Sequence, residues 1–239
     1  MKILAIDTSS LVCSAAVIDD GALLGEYTLI NGLTHSQKLM PLIDSLLKAL
    51  ALSIKDIDVF AVTNGPGSFT GLRIGIAAVK GFAFAEKKPV IAVSTLEAMA
   101  RNVQFTDCLI CPLMDARAGQ VYNAVYKRNL VSSGNNYSLK TVVPPRAVGI
   151  DTVINEMKAL KNKKVLFLGD GVKPNLERLK ELGKTAVFAG FNNNSQRASS
   201  VALAAYEKAL RGETASADTL NAEYLRKSQA EREKEAKEK

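Results

Sequence analysis

Asn64-Gly-Pro-Gly-Ser-Phe-Thr-Gly-Leu-Arg-Ile-Gly-Ile-Ala-Ala-Val-Lys-Gly81 is a turn that runs straight into a helix. Gly65 and Gly67 bracket Pro66 and permit a sharp change of direction. Thr70 stands where a cap is wanted, and a helical pattern follows to about Glu86. Gly71 and Gly75 recur four residues apart, as do Ala77, Gly81 and Ala85, so the helix has smooth grooves that admit a neighbouring backbone. Two phosphate-binding patterns fail here. The Gly-x4-Gly-Lys-Ser/Thr loop is absent, and Gly65-Pro-Gly67 lacks the third glycine of the dinucleotide pattern because Thr70 stands in its place. A helix N-terminus can hold an anion, but close packing is the simpler use of these glycines.

Upstream of this segment, Lys2–Thr8, Ser14–Ile18 and Ala22–Leu29 read as a three-stranded meander with a tight turn at Asp19-Asp20-Gly21. Thr34 is placed to cap a helix lasting to about Ala51, and Val59–Thr63 reads as a strand. Downstream, Val90–Val93 is a strand, and Ser94 with Glu97 matches a capping box for a short helix. Near Asp107 the pattern restarts. Cys108–Met114 and Gln120–Tyr126 flank Asp115-Ala-Arg-Ala-Gly119 as a hairpin, and Tyr137–Val143 can add a third strand. Helical patterns follow at Thr152–Leu160, Asn175–Leu182 and Ser200–Arg211. Lys164–Gly171 has the shape of Lys2–Ser9: a basic residue, an apolar strand and an acidic turn. The order of elements, more than residue identity, predicts a duplicated α/β fold. Its two lobes are 1–105 and 106–225, each a mixed sheet with packed helices. The last fourteen residues, Arg226–Lys239, contain ten charged residues and read as a terminal helix that frays or as a tail.

With 239 residues, 47% of them apolar and 23% charged, the chain has enough material for a substantial core without disulfide or metal staples. Cys13, Cys108 and Cys111 are an odd number, and the start shows no apolar stretch with a small-residue cleavage site, so the expected location is the cytoplasm. The longest apolar stretch, Ile74–Ala85, is interrupted by Lys80 and is too short to span a bilayer, so no membrane association is expected. Net charge is +7, unevenly spread. Residues 1–105 carry nine bases and nine acids; the rest carry 22 and 15. A basic second half suits contact with a polyanion such as tRNA, and equally suits plain solubility. No aromatic RNA-binding signature accompanies it.

Four stretches together resemble one family: the glycine segment above, Lys2-Ile-Leu-Ala-Ile-Asp-Thr-Ser9, Met114-Asp-Ala-Arg-Ala-Gly-Gln-Val-Tyr122 and Tyr224-Leu-Arg226. In this order they look like the threonylcarbamoyl transferase family, once labelled glycoproteases, and within it the branch of non-catalytic partner subunits. The resemblance covers nearly the whole chain. It implies the two-lobed actin-like fold shared with sugar kinases and Hsp70. It also implies pairing, through the first lobe, with the transferase subunit that modifies the adenosine beside the tRNA anticodon, and help in recruiting a small ATPase subunit. A competing homodimer is open, and tRNA contact is expected only within the assembly. Leu39, Ile43, Leu46 and Leu50 form one stripe of the first helix, widened by Met40, Leu42 and Leu47. The expected interface residues are His35, Leu39, Ile43, Arg73, Ile76 and Lys80, with the apolar ones facing solvent.

The resemblance also says which chemistry is missing. The transferases of the family hold a metal through a His-x-x-x-His pair one helical turn apart. Aligned on Val90–Val93, those positions are Thr95 and Met99. His35 is the single histidine, so neither a two-histidine metal site nor a Ser-His-acid system can be built. No catalytic residue, metal or cofactor is expected. Cys108-Leu-Ile-Cys111 has the C-x-x-C form but sits in an apolar strand, where residues three apart face opposite ways. In actin-like ATPases, turns after the first strand of each lobe hold phosphates. Asp7-Thr8-Ser9 and Gly169-Asp170-Gly171 are the candidates here, although the first lacks the Asp-x-Gly form, and both can simply close turns. An actin-like ATPase or small-molecule kinase, and a peptidase, are the alternative readings.

Overall fold

The computed structural model describes residues 1–30, 34–103, 106–130, 137–160 and 163–226. The expectation for the last fourteen residues therefore lies outside the described residues, apart from Arg226.

Strands β1 (Lys2–Asp7), β2 (Cys13–Asp19), β3 (Ala22–Leu29), β4 (Val59–Gly65) and β5 (Val90–Ser94) form one sheet in the order β3-β2-β1-β4-β5. β1 pairs antiparallel with β2 and parallel with β4, so it lies centrally. Its apolar run Ile3–Ile6 is fully buried, as expected for a strand covered on both faces. A second sheet is built from β6 (Leu109–Asp115), β7 (Gln120–Leu130), β8 (Tyr137–Gly149), β9 (Val165–Leu168) and β10 (Ala186–Phe188), in the order β10-β9-β6-β7-β8. Read from the meander edge, each sheet has its third, second, first, fourth and fifth strands in that order. The duplicated actin-like α/β architecture is present in both sheets. One correspondence differs from the sequence reading: the counterpart of β1 is β6, and β9 is the counterpart of β4. The acidic turn that follows an apolar strand misled, because both β1 and β9 end that way.

Helix α1 (His35–Ala49) and helix α2 (Phe69–Glu86) lie on one face of the first sheet. Leu39, Ile43 and Leu46 of α1 and Ile76, Val79 and Ala83 of α2 share a core with Phe60 and Val62 of β4. Ser68, not Thr70, caps α2: its Oγ accepts from the Gly71 amide at 3.2 Å. In the second lobe, helix α4 (Ile150–Ala159) and helix α5 (Leu176–Lys180) cover the matching face. The α5 helix is shorter than its pattern suggested. A 3₁₀ turn containing Pro174 precedes it, and Gly183, at φ +56°, follows it.

The remaining two helices are exchanged between lobes. Helix α3 (Thr95–Ala100) follows the first sheet, yet Leu96, Met99 and Ala100 pack with Ile110, Ala124 and Leu168 of the second. Helix α6 (Ala198–Leu210) follows the second sheet, yet Val201, Ala202 and Ala205 pack beneath Ile3, Ala61 and Ile91 of the first. Beyond α6, Ala215 bridges Val90, and Leu220 enters the first core. Packing therefore departs from the expected division at 105 and 225, because residues 198–222 complete the first lobe. Arg101 ties the exchanged helices together, reaching Glu207 at 2.6 Å and Glu97 at 3.0 Å. Glu97 is thereby drawn away from the capping box with Ser94, whose side chain makes no cap bond. Among the described residues no helix is long and apolar enough to cross a membrane.

Candidate functional site at the cleft and the helical face

The cleft between the lobes is bounded by the β1–β2 turn and the start of α2 on one side and by the β6–β7 hairpin on the other. On the first side the end of β1 is drawn in, although Leu11 at the tip of the turn is 73% exposed. Asp7, Thr8 and Ser9 are fully buried. A Cβ on Gly67 would overlap the Ser9 carbonyl oxygen, and one on Gly71 the Thr8 carbonyl oxygen. The close approach is used: the Ser68 amide donates to Ser9 O at 2.7 Å, and Thr8 Oγ1 donates to Gly71 O at 2.8 Å. Asp7 Oδ1 accepts from the Ser9 amide (2.9 Å), Ser9 Oγ (2.6 Å) and Thr63 Oγ1 (3.2 Å), whereas Oδ2 is enclosed without a partner. Burial pushes the Asp7 carboxyl above the ordinary carboxylate range, against the pull of these hydrogen bonds. His35 Nε2 lies 2.7 Å from the Ser10 carbonyl oxygen, an acceptor that places the proton on Nε2.

The second side is built on the same plan but is open. Gly169 and Gly171 pack against the end of β6 as Gly67 and Gly71 pack behind β1, with the Gly171 amide donating to Leu113 O at 3.0 Å. The residues facing the gap, Asp115, Arg117 and Asp170, are exposed. Arg117 and Ala118 have φ +60° and +50°, uncommon for residues with a side chain. The Arg117 amide donates to Asp115 Oδ1 at 2.7 Å, and the Asp115 amide to Asp170 Oδ1 at 3.2 Å. Although Asp170 has an open edge, the hairpin backbone crowded around its carboxyl desolvates it and, with the negative charge of Asp115, raises it above its ordinary range. From the C-terminal side, Tyr224 stacks on Phe69 with ring centroids 4.8 Å apart, and Arg226 donates to the carbonyls of Ala116 and Arg117. Of the candidate phosphate turns, Gly169-Asp170-Gly171 thus lies beside the hairpin, and the topological partner of Asp7-Thr8-Ser9 is Asp115–Gly119. The sequence carried that signal in the Met114–Tyr122 motif, and Tyr224-Leu-Arg226 pointed to the strap across the cleft.

The expected interface residues divide by burial. Leu39 and Ile43 are 1% and 2% exposed and Ile76 is 8%, so these side chains belong to the core and not to a solvent face. The broad apolar stripe of α1 is consumed by its own sheet and by α2. Arg73 is exposed, and His35 and Lys80 are half-buried. The outward apolar residues of this face are Met40, 49% exposed, and Phe84, 81% exposed. Cys111 is buried inside β6, where desolvation pushes its thiol up to about 12; Cys108 lies outside the strand, and both are free.

The family model described as TsaD, tRNA N6-adenosine threonylcarbamoyltransferase, matches residues 30–234. The chain belongs to that family. Within it, the chain is 34% identical over 97% of its length, and 96% of the relative's, to the tRNA threonylcarbamoyladenosine biosynthesis protein TsaB of Bacillus subtilis. It is 36% identical to the Escherichia coli protein of the same name over 62% of this chain and 64% of that one. The solved structure of YeaZ from Pseudomonas aeruginosa superposes with a TM-score of 0.76 at 26% identity, covering 94% of this chain and all of that one. Thr95 and Met99, the positions expected from the resemblance to stand in place of the transferases' paired histidines, lie on α3 and are 0% and 1% exposed. Gln196 Nε2 contacts Met99 Sδ at 3.6 Å, and Met99 packs with Ile110 and Leu168 of the second sheet, whereas the Thr95 hydroxyl is enclosed without a hydrogen-bond partner among the described residues.

Proposed function

We propose that this protein takes part in threonylcarbamoyladenosine biosynthesis on tRNA as a non-catalytic subunit, pairing with the threonylcarbamoyl transferase. The observation that carries the reading is α3. At the positions where the resemblance implies that the transferases hold their metal, this chain has a buried threonine and a methionine packed against the second sheet. Neither side chain is a competent ligand for a hard or borderline ion, and His35 stands alone in the sequence. A chain that keeps the fold and lacks these groups is suited to shaping a partner. The docking face is the outer side of α1 and α2, which lie next to each other and can form a four-helix contact with the same pair in a homologous subunit. Recruitment of a small ATPase subunit belongs to that assembly, as does contact with tRNA.

The test is binding of the transferase subunit from the same organism, measured by calorimetry. Phe84→Glu places a charge on an exposed apolar anchor and should weaken pairing by at least about a hundredfold while the chain stays folded. Leu39→Glu buries the charge in the protein's own core and should unfold it instead. Normal affinity in a folded Phe84→Glu protein would place the interface elsewhere.

A further inference from the structure

Arg73, Ala77, Lys80 and Phe84 follow one another on the outer side of α2 at spacings of four, three and four residues, and Lys87, three further on, is the residue that ends the helix at φ +52°. That is the spacing of a heptad seam, and it brings the four helical residues onto one line with Lys87 at its end. Arg73, Ala77, Phe84 and Lys87 are exposed and Lys80 is half-buried. Cations occupy alternate seam positions. Among the described residues none of the three has a carboxylate within ion-pair distance. By contrast, Lys48 on α1 meets Asp44 at 2.8 Å, and Arg197 before α6 meets Glu26 at 2.8 Å. Arg73 is held in place: its Nε donates to the Tyr224 hydroxyl at 3.0 Å, and its guanidinium lies 3.8 Å from the Phe69 ring centroid. The one acid of the segment, Glu86, falls on the other side of the helix by the 3.6-residue turn.

The geometry points to a heterologous partner helix that carries carboxylates opposite Arg73, Lys80 and Lys87, and against a second copy of this chain on the same face. The inference rests on the pairing proposed above and adds what selects the partner. A two-fold antiparallel crossing centred on Lys80 would set Lys80 against Lys80 and Arg73 against Lys87. The apolar seam residues Ala77 and Phe84, on either side of that centre, would suit self-pairing. The like charges on either side of them oppose it. The α1 part of the face does not change the sign, since its Lys48 is already paired with Asp44. Complementary charge gives specificity and like charge rejects the wrong partner, so homodimer and heterodimer are told apart by electrostatics on one surface.

The two pairings must therefore respond to salt in opposite directions. The full-length chain is to be studied by sedimentation velocity, alone and with the transferase subunit, at about 0.1 M and about 1 M sodium chloride, where the screening length falls from about 10 Å to about 3 Å. The heterodimer dissociation constant should rise at least about tenfold, and self-association should tighten or stay unchanged. Lys80→Gln at low salt should weaken the heterodimer and tighten the homodimer, Lys80→Arg should restore wild-type behaviour, and Lys184→Gln, on the exposed surface of the second lobe, should move neither. A heterodimer indifferent to salt, or a Lys80→Gln change that moves both pairings the same way, overturns the charge selection while leaving the pairing intact. A wild-type chain that forms no heterodimer at either salt overturns the pairing, and the selection with it.

Discussion

The two hairpins that face the inter-lobe cleft share a topology and differ in what they expose. In the first lobe the glycine loop closes over the strand end, so that Asp7, Thr8 and Ser9 are sealed and their polar atoms are bonded to the loop and to one another, Asp7 Oδ2 excepted. In the second lobe the glycines pack against Leu113 just as closely, yet Asp115, Arg117 and Asp170 remain exposed. The glycines are thus common to both lobes and set backbone distance alone. What separates the hairpins is their turn chemistry. Short hydroxyl residues let the first fold back on itself, whereas Arg117 and Ala118 in the left-handed region hold the second out into the gap.

The largest effect that can break this contrast comes from glycine replacement. Gly67→Ala forces a Cβ into the Ser9 carbonyl, whose position is pinned by the Ser68 amide. The melting temperature should fall by about 6–12 °C. Gly119→Ala on the open hairpin has room for the methyl group but requires it at φ +70°, and should cost only about 2–4 °C. Equal losses would show that the first turn is no tighter than the second. Next in size is Asp7→Asn. Because burial raises the folded-state value, the stability linked to this carboxyl is present below the ordinary carboxylate range and is lost as pH rises through the folded value. The substitution should therefore raise the melting temperature by about 2–4 °C at pH 8 and leave it unchanged at pH 4. A destabilised protein at both pH values would mean that the ionised carboxylate is what the turn is built around. The smallest effect concerns charge outside the cleft. Lys158 is within ion-pair reach of Glu181 at 3.4 Å, but Lys163 and Lys164 are exposed without a carboxylate partner among the described residues. Reversing both to glutamate should weaken tRNA binding by the assembled complex and reduce its salt slope by about two. An unchanged slope would assign the basic lobe to solubility.

Much of the fold was legible because strand periodicity, turn residues and the glycine segment all act locally. The meanders, α1, α2 and the repeat of their order follow from those signals. Three things did not. Ser68 displaced Thr70 as the cap because the loop turns two residues earlier than the glycine spacing suggests. The exchange of α3 and α6 was hidden, since an amphipathic helix shows that it has a buried face but not which sheet receives it. For the same reason Leu39, Ile43 and Ile76 looked available to a partner: a wide apolar stripe is compatible with both an outer and an inner use. The cleft was half legible. Its residues lay in the Met114–Tyr122 and Tyr224–Arg226 motifs, but the match of β9 to β1 by turn chemistry drew attention to Asp170 and away from Asp115.

The exchanged helices also set a timetable for the chain as it is made. The underside of the first sheet is covered by Val201, Ala202 and Ala205, and its rim is finished by Leu220. When residues 1–105 have been made, Ile3, Ala61 and Ile91 have only Ala98 of α3 on that side, and nearly a hundred more residues must follow before α6 arrives. The N-terminal lobe cannot mature in order of synthesis. Its closure waits on residues 198–222, which are made only after the second sheet.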